Sequence, residues 1–176
     1  MTFTQHMTWH MTLVTAIAPL MAAMMAGTRW DPARRVPLLF SPLLACLVEF
    51  VAVWAWHTPR LHDAARDHTL WFAAEQATFL AVSLFLWLAI LGGHADERRA
   101  RAGSGVIALV LTFAHMTMLG VLIALSPRVL YGHGNDGMDD QQFGAAIMIA
   151  ASAVVYPAAA LWLSRSIVTA GRRQEA

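Results

Sequence analysis

Five apolar stretches alternate along the chain with short polar segments. A hydrocarbon core of about 30 Å takes roughly 20 helical residues at about 1.5 Å each. The pattern predicts membrane spans near 5–27, 37–57, 69–92, 104–125 and 143–164. The breaks are punctuated as connections should be: Arg29, Asp31, Pro32, Arg34 and Arg35 in the first; Pro59, Arg60, Asp63, Arg66 and Asp67 in the second; Asp96 to Arg101 in the third; Pro127, Gly132, Gly134, Asp136, Gly137, Asp139 and Asp140 in the fourth. Pro19, Pro42 and Pro157 fall inside the runs, where neighbouring helices can cover a freed carbonyl. The expectation is an all-α, polytopic membrane helix bundle with one domain over 1–176.

Composition supports this. Of the 176 residues, 58% are hydrophobic and 13% charged, about half the charged share of a soluble domain. A net charge of +1 argues against a nucleic-acid partner. The single cysteine, Cys46, rules out an internal disulfide and a cysteine-rich metal site. All 12 basic residues are arginine, and they are unevenly placed. The first and third loops and the C-terminal tail, with Arg172 and Arg173, together hold nine, against three for the other segments. The positive-inside rule then puts the N-terminus outside and the C-terminus in the cytoplasm. No basic residue precedes Arg29, so the first run is expected to be a retained span rather than a cleaved signal.

Titratable groups sit inside these runs, where each costs at least a few kcal/mol and calls for a partner or a task. With the orientation above, they gather toward the outer face. His6 and His10 open the first span on one helix face at i, i+4, a spacing that can hold one transition metal. Met7 and Met11 repeat that spacing one step round the helix, and imidazole with thioether suits copper. His57 closes the second span, with Glu49 about two turns deeper; Glu75 lies about two turns into the third; His115 is near the middle of the fourth; Asp140, Gln141 and Gln142 stand where the last loop enters the fifth. Glu49 and Glu75 are candidate proton carriers or partners for His10 or His115. The bland reading competes at each position: interfacial imidazoles bonding headgroups, helix cross-links, methionines as packing filler. His62, His68, His94 and His133 read as solvated loop residues, and Trp54, Trp56, Trp71 and Trp87 as an aromatic belt. No phosphate loop, nucleophile elbow or Cys-x-x-Cys is present, so an enzyme is not expected.

Three segments, in order, carry a resemblance. HMTWHMTLVTAIAPL is similar to the His-Met-x-x-His-Met signature of the polytopic cytochrome c oxidase assembly factors called CtaG, associated with caa-type oxidases. VWAWHTPRLHDAARDHTLWFAAEQATFL resembles that family's Trp-His-x-Pro followed by a short loop and an acid or His near a Phe. LSPRVLY with DDQQFGAAIMIAASAVVYPAAALWL resembles its proline-tyrosine turn and Asp-Gln-x-x-Gly segment. The resemblance implies an integral inner-membrane protein that helps mature haem-copper oxidase, at the copper centre of the catalytic subunit, with motif positions at His6, His10, His57, Glu75, Asp140 and Gln141. Family members usually carry further upstream spans, so this chain resembles a reduced member, either a transient factor or a bound accessory subunit.

The leading expectation is a non-enzymatic assembly factor that holds copper at an outward site of His6, His10, Met7, Met11, His57, Glu75 and His115, with Glu49, Asp140 and Gln141 as other polar site residues, and passes it to an oxidase subunit. The alternatives are a b-type haem electron-transfer subunit with His10 and His115 as axial ligands, a structural subunit of a respiratory complex, and, more weakly, a transporter. Partners are oxidase or other respiratory subunits and the bilayer; self-association is left open.

Overall fold

The computed structural model describes residues 1–131 and 137–174, with side chains through Thr169. Gly132, His133, Gly134 and Asp136 lie outside the described residues, as do the side chains of Arg172 and Arg173. The described residues are helical, with no strand: α1 Phe3–Thr12, α2 Ala18–Met25, α3 Pro42–Trp56, α4 Pro59–Asp67, α5 Thr69–Leu91, α6 Ala95–Ala124 and α7 Met138–Gln174. Among the described residues, four helical stretches are long and apolar enough to cross a membrane, and a fifth if the bent pair α3–α4 is one span.

The first span runs through α1, a π turn at Leu13–Ile17 and α2. The π turn lies just before Pro19, which has no N–H to give, and the Ala18 N–H bonds back to the Leu13 carbonyl. The second span differs most from expectation. Pro37–Phe40 is not helical, and α3 begins at Pro42. Its 15 residues cover only about 22 Å. The chain then bends by 72° into α4, where a polar loop was predicted. The cause is local: Pro59 is the first residue of α4, and Thr58 before it is held extended at φ −68°, ψ 137°. α6 and α7 outrun their predicted spans because helix continues beyond the apolar stretch into charged turns.

α7 packs along α6 and against α1, while α5 packs against α2 and α3. Glycine permits two of these approaches. A Cβ at Gly120 would lie 2.7 Å from Ile149 Cγ1, and one at Gly144 would lie 2.4 Å from Phe3 Cδ1. Leu38, Leu47, Val51, Ile107, Val110, Val154 and Leu161 are exposed on the outside of the bundle, the apolar surface a lipid-facing protein presents.

The two ends of the bundle differ. At one end Asp31 is 1% exposed and accepts N–H bonds from Gly27 and Gly93 at 2.8 Å and from Ala33 at 3.0 Å. Beside it Arg101 donates to the carbonyls of Phe40 and Gly92. The arginine-rich first and third loops are therefore clasped together. The opposite end carries the start of α1, the end of α3, α4, the start of α5 and Tyr131.

Candidate metal centre

α1 is fixed in place at its first turn. Thr2 caps Gln5, and the Gln5 side chain returns a bond to Thr2. Asp140 on α7 accepts from the N–H groups of Phe3 at 2.7 Å and Thr4 at 3.2 Å, and the Thr4 hydroxyl donates to its carbonyl. Gln141 accepts from Leu130 N–H at 2.6 Å and donates to the Ile123 carbonyl at 3.0 Å. These two residues anchor backbone around the site.

That anchoring turns His6 and His10 inward, at 1% and 0% exposure. His6 meets His62 from α4 edge-on, with ring centroids 4.7 Å apart, and its Nε2 lies 3.2 Å from Glu75 Oε2, a contact not aligned as a hydrogen bond. The ligand atoms of His6, His62 and Glu75 all lie within 4.8 Å of one another, and all three residues are buried. One turn deeper, the His10 ring centroid is 5.7 Å from that of His57 and 3.8 Å from that of Phe79. His57 Nδ1 is 2.7 Å from the Val53 carbonyl, so it carries the proton and leaves Nε2 with a free lone pair. The His57 carbonyl accepts from Tyr131 Oη at 2.7 Å. Burial, and then the charge of Asp63, pushes the Tyr131 phenol up to about 12, so it stays a donor.

Seven ring nitrogens in this cage have no hydrogen-bond partner: both of His6, His10 and His62, and Nε2 of His57. Leaving a buried polar atom unsatisfied costs about 1–3 kcal/mol, so such a cluster is unusual unless a ligand completes it. Ligands about 2.0–2.1 Å from a tetrahedral ion stand roughly 3.3 Å apart, so side-chain rotation must draw the set inward slightly. Imidazole and carboxylate are the donors that copper and zinc take.

The remaining predicted residues lie elsewhere. Met7 is fully buried and faces α7, its Cγ 3.2 Å from the Cβ position at Gly144; Met11 is buried in the hydrophobic core. His115 packs edge-on against Phe50 at 5.3 Å, and the metal-competent cluster among the described residues, His6, His62 and Glu75, does not include it. Glu49 pairs with neither His10 nor His115; its carboxylate accepts from the hydroxyls of Ser83 and Thr112. The solvated reading of His62 is overturned, since the ring is 1% exposed inside the cage. His68 and His94 are exposed, as expected.

No curated protein and no solved structure matches the chain. The model of the family described as cytochrome c oxidase caa3 assembly factor (Caa3_CtaG) matches residues 1–170, and the chain belongs to that family.

Proposed function

We propose that this protein holds copper as cargo in the cage of His6, His62 and Glu75, with His10 and His57 as an adjoining pair, and supplies it during assembly of the haem-copper oxidase. The observation that carries this reading is the set of buried imidazole nitrogens that make no hydrogen bond, two of whose residues, His6 and His62, gather with the buried carboxylate of Glu75. The role as an oxidase assembly factor is that of the family. Because Met7 faces α7, the soft thioether that favoured copper from sequence is not needed. Imidazole suits copper as it does zinc, and the family's role in cytochrome c oxidase assembly favours copper.

The cage lies at the end away from the clasped arginine loops. With those loops cytoplasmic, the site faces the periplasm across the bacterial inner membrane, where α4 covers it. It is a holding site rather than a catalytic one. His57 has the arrangement common to metal-bound imidazoles, with one nitrogen donating to a backbone carbonyl and the other presented to the site.

Metal analysis and X-ray absorption of the purified, copper-loaded protein test this. Wild type should bind copper with nitrogen and oxygen neighbours and no sulfur, and His6→Ala with His62→Ala should lose it. Equal copper in wild type and the double variant would refute the ligand assignment. Oxidase copper content in membranes from cells carrying the same variants tests delivery, and should fall in parallel.

A further inference from the structure

A second polar site lies deeper in the bundle. Glu49 is 0% exposed, with Ser83 Oγ donating to Oε1 at 2.8 Å and Thr112 Oγ1 3.2 Å from Oε2. Thr112 Oγ1 is also 3.4 Å from Cys46 Sγ. One hydroxyl has one proton for these two contacts, so a proton from the acid or the thiol completes the second. Tyr156 of α7 is fully buried within electrostatic range of Glu49 and Cys46, and its Oη has no partner. Trp87, stacked on Tyr156, leaves Nε1 unpaired, and Ser152, one turn from Tyr156, leaves Oγ unpaired. Four helices thus converge polar groups on one carboxyl. α3 contributes Cys46, α5 and α6 contribute hydroxyls (with His115 three residues past Thr112), and α7 contributes Tyr156. Among the described residues no cation pairs with Glu49.

Its depth relates it to the cage. Glu49 on α3 precedes His57, the residue that caps its end, by eight residues, and Ser83 follows Glu75 by eight on the antiparallel α5. Both helices therefore place this layer about 12 Å beneath the cage at 1.5 Å per residue. Val53 and Phe79, halfway along and both 0% exposed, form an apolar layer between. By Coulomb's law, charges at that separation in a low-dielectric interior still interact.

We propose that Glu49 is a proton-binding site linked electrostatically to the cage: it carries its proton when the cage is empty and releases it when a metal cation is held above. The ionised carboxylate then offsets the cation's charge inside the bundle, where an unpaired charge of either sign is costly. This rests on the cage binding a metal. The step balances: one cation is taken up by the cage, and one proton leaves the Glu49 carboxyl for solvent. At about 12 Å and an effective dielectric near 20, a unit charge changes a binding constant by about tenfold.

Infrared spectra and metal titrations of the purified full chain in detergent test both halves. Metal-free wild type should show a protonated-carboxyl carbonyl band that vanishes in Glu49→Gln and weakens when cuprous ion is added against a competing chelator. Glu49→Gln keeps an acceptor for Ser83 and Thr112 and cannot ionise. It should bind cuprous ion up to about tenfold more weakly and release fewer protons per ion, while Glu49→Asp restores proton release. Absence of the band from metal-free wild type overturns the proton site. Normal metal binding with equal affinity and proton release in wild type and Glu49→Gln overturns the linkage alone. Failure of wild type to bind the ion overturns the metal cage and the linkage with it, leaving the band to decide the proton site.

Discussion

The attachment of α1 to α7 decides where His6 and His10 point, and Asp140→Ala is the perturbation that isolates it. A helix starts with four N–H groups that have no partner within it. In α1, Asp140 satisfies those of Phe3 and Thr4, and Thr2 satisfies that of Gln5. Removing the carboxylate leaves two donors without their acceptor. Hydrogen bonds to a charged group contribute about 1.5–3 kcal/mol each. Asp140 is partly exposed, so water can replace some of this, and measured losses at helix caps are about 0.5–2 kcal/mol. A loss of about 2 kcal/mol is expected, equivalent to about 4–8 °C in unfolding midpoint for a chain of this size. Asp140→Asn keeps one side-chain oxygen as acceptor and should recover about half of the loss. Thermal unfolding in detergent, followed by tryptophan fluorescence, measures both. The same variants should bind copper more weakly, because a frayed first turn releases His6 before His10. An unchanged midpoint in Asp140→Ala would refute the reasoning, as would equal losses in the Ala and Asn variants.

His62→Ala should reduce bound copper as much as His6→Ala does, whereas His115→Ala should leave it unchanged; metal analysis of the three purified variants separates the cage from the mid-span histidine. Gly144→Ala places a methyl 2.4 Å from Phe3 Cδ1 and 3.2 Å from Met7 Cγ, and should destabilise by about 1–3 kcal/mol in chemical unfolding while weakening copper binding. Asp31→Ala strips the acceptor from the N–H groups of Gly27, Ala33 and Gly93, and should cost about 3 kcal/mol or more, with copper stoichiometry preserved in whatever protein remains folded. Nitrogen NMR of the metal-free protein should show the His57 ring protonated at Nδ1 and bare at Nε2; the opposite tautomer would remove it from the candidate ligands.

Much of the fold was legible because span length and arginine placement are strong, simple constraints. The four long helical stretches fall where apolar runs exceed the bilayer thickness, and the arginine-rich loops meet at one end, clasped by Asp31 and Arg101. His6, His10, His57 and Glu75 were legible for the same reason: a titratable group inside an apolar run is conspicuous. The partners of Glu49 were not. Ser83 and Thr112 are unremarkable in a membrane helix, and only the packing of α3 against α5 and α6 shows that their hydroxyls meet its carboxylate. Asp140 and Gln141 were recognised as polar residues near the site, but their work is on backbone groups, which no side-chain pattern reveals.

His62 shows how a local signal can be overruled by composition. PRLHDAARD is polar enough to read as a loop, and a loop histidine reads as solvated. Yet Thr58-Pro59 is a helix-start signal, and a helix counted from Pro59 puts His62 and Ala65 on one face, three apart, with Arg60, Asp63 and Asp67 turned elsewhere. The structure buries that His62–Ala65 face. The reason lies in α3, whose roughly 22 Å is too short for a core of about 30 Å. The 72° turn at Thr58 lays α4 across the end of α3. His57 therefore ends up beneath a roof, and His62 hangs from that roof beside His6 and Glu75. Because Arg66 on α4 donates to the Tyr131 carbonyl while Tyr131 itself holds the end of α3, the roof and the last loop are tied together.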